Sequence, residues 1–303
     1  MGLASYDSLE AAVKGCFGER VKIDRSTQAS HGDINATKLL DLSDGTAVFV
    51  KSNTIANSGF FDAEEEGLRA IANTKTIATP KLFCKGTDRT RGISFLMMEV
   101  IERGKVTRDA MADMGRDFAR MHLAPADAYV PGGRYGFLHN NYIGASKQIN
   151  TPKDNWIDFF RECRLMPQFE MADKAFTISD RKRILRLMDR LDELLVEPDH
   201  PSLLHGDMWG GNHLIDENGR AVLIDPATYV GHAEADLAMT EMFRPLPAEF
   251  YAAYYESNPM LPGYQDRRSL YNLYHELNHY NLFGGGYLYS ALDTVMRYTA
   301  RTS

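Results

Sequence analysis

Leu203-Leu204-His205-Gly206-Asp207-Met208-Trp209-Gly210-Gly211-Asn212-His213-Leu214-Ile215-Asp216-Glu217-Asn218-Gly219-Arg220-Ala221-Val222-Leu223-Ile224-Asp225-Pro226 packs Asp207, Asn212 and Asp225, two glycine-bearing turns and two short apolar runs into 24 positions. Asp207 and Asn212 stand five positions apart on a glycine-containing loop. Residues 214–215 and 221–224 read as two short buried strands, joined by Asp216-Glu217-Asn218-Gly219. The Asn-Gly pair suits the positive φ angles of a tight hairpin turn. Such a hairpin returns Asp225, at the end of its second strand, to the loop that carries Asp207 and Asn212. Any one of these residues alone reads as a turn former. All three at this spacing read as a site.

Two carboxylates and an amide at one point suit phosphoryl transfer, which is catalysed mainly by positioning and electrostatic stabilisation. Mg²⁺ prefers oxygen ligands and takes one or two from the protein, with phosphate oxygens and waters completing the set. Asn212 and Asp225 are the candidate metal ligands. Asp207 remains free to accept a proton from a substrate hydroxyl, which makes it the candidate catalytic base. The Asp-to-Asn gap equals that of the protein-kinase catalytic loop His-Arg-Asp-x-x-x-x-Asn, and Ile224-Asp225-Pro226 stands where Asp-Phe-Gly would.

Three segments, 205–212 (His-Gly-Asp-Met-Trp-Gly-Gly-Asn), 224–232 (Ile-Asp-Pro-Ala-Thr-Tyr-Val-Gly-His) and 234–240 (Glu-Ala-Asp-Leu-Ala-Met-Thr), closely resemble the fructosamine kinase (ketosamine 3-kinase) family. The wider His-Gly-Asp…Asp-Pro core is also similar to the aminoglycoside and choline phosphotransferases. The resemblance runs from Phe49-Val50-Lys51 to the final helices and is strongest over 203–243. It implies an α+β, bilobal, protein-kinase-like fold with a small β-sheet N-lobe and a larger, mostly helical C-lobe. It implies ATP and Mg²⁺ as cofactors, and phosphorylation of the C3 hydroxyl of a ketosamine, free or as a glycated lysine on a protein.

The chain read in order supplies the remaining candidates. Residues 3–17 suggest an amphipathic helix, and β segments are expected at 21–25, 36–42 and 46–51. Between the first two lies Gln28-Ala29-Ser30-His31-Gly32-Asp33-Ile34-Asn35, a small polar turn able to fold over phosphates; Ser30, His31 and Gly32 are its candidate contacts. Some family members carry a cysteine in this turn, and here there is none. Lys51 ends a strand, and Glu64 follows on a helix face shared with Leu68 and Ile71. An inward carboxylate needs a partner, and the kinase-like reading pairs Glu64 with Lys51, which then contacts the α/β-phosphates. The apolar run 93–101 empties into Glu102-Arg103-Gly104, a hinge between lobes. The kinase-like resemblance implies that Met98 guards the back of an adenine pocket, with backbone groups of Glu99, Val100 and Ile101 bonding the base; a core strand with no ligand is the other reading of this run.

Beyond the hinge, Thr107 caps a helix bearing Ala110, Met114, Phe118 and Met121. Residues 155–163 read as a packed helix interrupted by Pro167, Ser179-Asp180 opens another, and 248–257 and 266–283 are helical. The lobes are therefore placed at 1–101, with a five-stranded sheet, and 102–303. His205 is read as a support of the catalytic loop, and His232, Glu234 and Asp236 as its braces. Trp209, on the loop two residues beyond Asp207, reads either as a packing residue or as a platform for the apolar face of a sugar, and the resemblance favours the platform. The resemblance also sets Asn155-Trp156 at the border of the acceptor site, making Trp156 a candidate substrate contact.

Composition narrows the class. The 303 residues carry 34 Lys and Arg against 41 Asp and Glu, a net charge of −7, which argues against general nucleic-acid or anionic-membrane binding. Three scattered cysteines, Cys16, Cys84 and Cys163, favour a reducing compartment. No apolar run reaches membrane-spanning length, and a cytoplasmic enzyme is expected. Two rivals stand beside the ketosamine kinase: an aminoglycoside- or choline-type phosphotransferase, and an inactive kinase-like binding module.

Overall fold

Backbone hydrogen bonding divides the chain into a sheet and a body of helices. The computed structural model describes residues 2–31 and 34–300, without the side chains of Ser30 and His31. The first part comprises β1 (Ala4–Tyr6), α1 (Leu9–Phe17), β2 (Ile23–His31), β3 (Ala36–Leu42), β4 (Ala47–Thr54), α2 (Gly59–Asn73), β5 (Leu82–Asp88) and β6 (Ile93–Glu99). The six strands form one sheet in the order β1-β5-β6-β4-β3-β2. Neighbours run antiparallel, except that β1 lies parallel to β5.

Strand alternation explains how this sheet serves a site. Val48 and Val50 of β4 are buried against Leu40, Phe95, Met97 and, from α1, Leu9 and Val13. Phe49 and Lys51 therefore face the opposite side, where both line a cleft. The segment expected to be one helix over 3–17 divides instead. Ala4–Tyr6 add to the edge of β5, and Ser8 then caps α1, its Oγ accepting from Ala11 N at 3.2 Å. This edge strand makes the sheet six-stranded rather than five-stranded.

The second part is mostly helical. Thr107 caps α3 (Arg108–Leu123), its Oγ1 accepting from Ala110 N at 3.1 Å. A Cβ on Gly115 would meet the Phe250 carbonyl oxygen at 2.2 Å, so a glycine is required where α3 crosses the helix Ala248–Ser257. Pro167 does not end its helix. Trp156–Phe160 passes through a π turn, Arg161–Leu165, into Met166–Met171, where Pro167 occupies the first turn and needs no N–H partner. The long helix Tyr264–Phe283 runs through the core. Gly104 N donates to Ile215 O at 2.8 Å, which fastens the link between the two parts to the hairpin below. No helix among the described residues is long and apolar enough to cross a membrane.

Candidate active site

The loop 205–212 is held from beneath. Asp236, buried on the helix Ala233–Met242, accepts from His205 N at 2.6 Å and Gly206 N at 2.8 Å. His122 Nε2 donates to the same carboxylate at 3.2 Å, and Tyr254 OH, 2.7 Å from His122 Nδ1, fixes that ring. Burial alone would raise the Asp236 pKa, but the hydrogen bond from His122 and the neighbouring imidazoles outweigh it and hold it below the usual value. Burial likewise holds His205 below the ordinary histidine value. Neutral, its Nε2–H donates to Ile224 O at 2.9 Å while Nδ1 accepts from Asp207 N at 3.3 Å. Gly206 has φ +82°, and a Cβ there would meet Ala227 O at 2.0 Å. The loop thus bears directly on the segment after Asp225.

The hairpin pairs His213–Ile215 with Ala221–Leu223. Its turn differs from the expected one: Gly219 has φ +81°, whereas Asn218 is not left-handed, because the Asp216 carboxylate accepts from both Asn218 N and Arg220 N. The consequence is as the sequence suggested. Ile224 N donates to Asn212 O at 3.0 Å, and Asp225 comes back to the loop 205–212. Asn212 Nδ2 donates to the Asp207 carbonyl at 2.8 Å and to its carboxylate at 3.1 Å. Burial pushes the Asp207 carboxyl up to about 7, against the Asn212 hydrogen bond that favours the ionised form.

Lys51 connects the two parts. Its ammonium, buried in the sheet, bonds Glu64 at 2.5 Å and also pairs with Asp225. Burial pulls the lysine pKa down, but Asp225 and Glu64 outweigh burial and raise it. Burial lifts the Glu64 carboxyl, opposed by Lys51. Glu65 is also buried; it accepts from Leu3 N at 2.9 Å and pairs with Lys85 and Arg69.

Asn212 and Asp225 fit a hard divalent cation. The Asn212 amide nitrogen is committed to Asp207, so its oxygen is the atom turned elsewhere. The Asp225 side chain is 47% exposed to the cleft. An acidic oxygen and an amide oxygen form a donor set suited to Mg²⁺.

These groups line a cleft of ≈ 1070 Å³, larger than a single small ligand commonly fills. Met98, Glu99, Val100 and Ile101 all contribute to it, with Leu39, Phe49, Leu214 and Ile224. Glu99 N donates to Lys81 O at 2.8 Å and its carboxylate accepts from Lys81 N, so that N–H is not available to a base. Ser30 and His31 belong to β2, in register with Thr37 and Ala36, rather than to an open turn. Gly32 lies outside the described residues.

Trp209 is 41% exposed and lines the cleft. Trp156 does not. It is fully buried, ringed by Tyr135, Phe159, Phe160 and Tyr271, and its Nε1 donates to Tyr271 OH at 3.4 Å. Asn155 beside it is a helix cap, accepting from Asp158 N at 2.9 Å. The placement of Trp156 at the acceptor border is therefore corrected to the core. Aromatic groups that the sequence did not single out line the cleft beside Trp209. Trp209 meets Phe243 edge-to-face at 6.0 Å, Phe243 meets His279 at 5.2 Å, and His279 meets Tyr287 at 5.0 Å. Their signal was tyrosine- and phenylalanine-rich helical sequence, which reads as core until its face is known.

The family described as fructosamine kinase matches residues 6–301. A chloroplastic protein-ribulosamine 3-kinase of Oryza sativa is 40% identical over 93% of this chain and 80% of its own length. A probable ketoamine kinase of Synechocystis is 39% identical over 94% and 93%. A ketosamine-3-kinase of Mus musculus is 34% identical over 82% and 87%. A crystal structure from Thermobifida fusca, described as that of a fructosamine-3-kinase, superposes with a TM-score of 0.82 at 31% identity, over 97% of this chain and 99% of its own. A macrolide 2′-phosphotransferase at 16% identity and TM-score 0.62, over 97% and 99%, shares the fold. With the family pattern spanning residues 6–301 and relatives about 40% identical over more than nine-tenths of its length, the chain belongs to the fructosamine kinase family.

Proposed function

We propose that this protein is an ATP-dependent kinase that phosphorylates the C3 hydroxyl of ketosamines, the sugar adducts of amines. The observation that supports it most is the convergence of Asp207, Asn212, Asp225 and Lys51 on one cleft beside exposed Trp209. The relatives named ribulosamine 3-kinase and ketosamine-3-kinase narrow the acceptor.

Adenine enters between Leu39, Phe49, Met98, Leu214 and Ile224, against the backbone of residues 99–101. Lys51, held by Glu64, contacts the α/β-phosphates. Asn212 and Asp225 would hold Mg²⁺, which supplies neutralisation of the charge on the phosphates when bound. Asp207 accepts the proton of the acceptor hydroxyl as its oxygen bonds the γ-phosphorus. The bond from that phosphorus to the β–γ bridging oxygen breaks, and ADP departs. Trp209 offers its ring face to the C–H surface of the sugar. His205 and Asp236 keep Asp207 aimed. We place the lobe boundary near residue 101 and the enzyme in the cytoplasm, a placement supported by three free cysteines.

The test is a panel of acceptors with ATP and Mg²⁺: fructose- and ribulose-lysine adducts, glycated protein, kanamycin and choline. Product mass and NMR position of the phosphate are read. Phosphorylation of the ketosamines at C3 is the expected result. Strong activity on kanamycin or choline with none on ketosamines would overturn the acceptor assignment.

A further inference from the structure

Asp225 is one of two non-glycine described residues with positive φ, at 55°. That conformation is uncommon outside glycine and persists when surrounding contacts over-determine it. The contacts lie in the next three residues. Ala227 N donates to His205 O at 2.9 Å. The Ala227 carbonyl accepts from Gln148 Nε2 at 2.9 Å, and the Thr228 carbonyl accepts from Asn141 Nδ2 at 2.7 Å. Gln148 and Asn141 are almost wholly buried and sit on the paired strands Asn141–Ile143 and Ser146–Gln148.

The hydrogen bonds around Gln148 have one consistent direction. Ala227 O can only accept, so the Gln148 amide nitrogen must face it. The second hydrogen of that nitrogen goes to Asn141 Oδ1 at 2.8 Å. Gln148 Oε1 accepts from Tyr274 OH at 2.8 Å. Asn150 also donates to Asn141 Oδ1, and its own oxygen accepts from the buried Arg164 guanidinium at 2.8 Å. Arg164 stacks on Tyr229 at 3.8 Å. Both N–H donors of the Gln148 side-chain amide are used and its oxygen accepts from Tyr274, and a satisfied buried amide holds its partners rigidly.

We propose that Gln148 is a positioning residue for the metal-binding segment. It clamps the Ala227 carbonyl so that Asp225 keeps its left-handed backbone and presents its carboxylate beside Asn212. Tyr274 orients Gln148 for that task. The inference rests on the reading of Asp225 as a metal ligand. It also explains why a hairpin whose residues Tyr142, Ile143 and Gly144 line the cleft carries buried amides at its base.

The test is Mn²⁺ binding to the protein–ADP complex, followed by electron paramagnetic resonance, with ADP binding in the absence of metal and Tm measured alongside. Gln148→Met keeps the volume and removes the amide. The expected result is Mn²⁺ affinity weakened about tenfold, metal-free ADP affinity unchanged, and kcat lowered with little change in the KM for ATP. Tyr274→Phe, which removes one hydroxyl and leaves the ring, should weaken Mn²⁺ binding in the same direction by a smaller factor while remaining folded. A lowered Tm with wild-type Mn²⁺ affinity in either variant would show a merely structural role and overturn the proposal. Asp225→Asn is the control. Wild-type Mn²⁺ affinity in that variant would sink the metal-ligand reading itself, an outcome distinct from failure of the Gln148 clamp.

Discussion

Asp236 accepts the backbone N–H of His205 at 2.6 Å, and with the N–H of Gly206 at 2.8 Å it carries the loop 205–212 on one buried carboxylate. An amide in its place could accept one of these donors but would point its own NH₂ at the other. Asp236→Asn should therefore destabilise the fold as well as lower kcat. Removing one partner from a buried charged network costs about 3–5 kcal/mol, measured by urea unfolding at pH 7. An unchanged midpoint would contradict the bracing role. The depressed pKa of Asp236 adds a pH signature. Its contribution is present above the unfolded carboxyl pKa and is lost as pH falls through the folded value. The Asn variant should lack that loss.

Asp207 behaves in the opposite sense. Burial raises its carboxyl to about 7 in the ligand-free protein, so the folded state holds a proton that the unfolded state has released. Stability contributed by this group is complete below the unfolded pKa and falls as pH rises towards 7. Asp207→Asn should then melt a few degrees higher than the parent at pH 8 and show no advantage at pH 4. The parent kcat/KM should fall about tenfold per unit below pH 7, as the base becomes protonated. A flat profile between pH 5 and 8 would count against Asp207 as the base.

Lys51 is buried between Glu64 and Asp225. Lys51→Met leaves the Glu64 carboxylate buried without its cation, at a cost of about 3–5 kcal/mol. The double change with Glu64→Gln should recover part of that stability but none of the activity. If the double variant is no more stable than the single one in urea, the pairing is not what holds the two together.

The two tryptophans make a paired prediction. Trp209→Ala should raise the KM for a ketosamine at least tenfold with Tm and ATP affinity nearly unchanged, because the ring is exposed in the cleft. Trp156→Ala should lower stability by about 3–5 kcal/mol, the range for buried aromatic truncations. In its surviving folded fraction the acceptor KM should be unaltered. The reverse pattern in calorimetry and kinetics would restore Trp156 to the acceptor site.

What the residues revealed and what they hid follow from different physics. Asp207, Asn212 and Asp225 were legible because a short hairpin is local, and its length fixes where its ends return. Glu64 was legible because helix periodicity assigns it an inward face, and Lys51 as its partner through the kinase-like resemblance. The strand Ala4–Tyr6 was not, since its three residues are held by an edge of β5 nearly eighty positions away. Trp156 misled because a tryptophan near a cap looks the same in sequence whether its ring faces a cleft or the core. Phe243, just past a helix end, and His279 and Tyr287, on helices, were missed because sequence shows which residues are apolar, but only packing shows which of them remain uncovered. Gln148 and Asn141 carry no spacing signal, because the carbonyls they hold lie about eighty residues downstream.

The proposed role of Asp207 is to direct phosphoryl transfer from ATP to a ketosamine hydroxyl. It is tested most directly by single-turnover transfer to fructose-lysine, with product quantified by mass spectrometry for the parent and for Asp207→Asn at matched nucleotide occupancy. The account predicts stoichiometric phosphoketosamine from the parent. From the variant, which should bind ATP as tightly, it predicts a rate lower by at least about 10²-fold, the smaller end of what a positioned base supplies. Equal rates from the two proteins, or no phosphoketosamine from the parent, would contradict it.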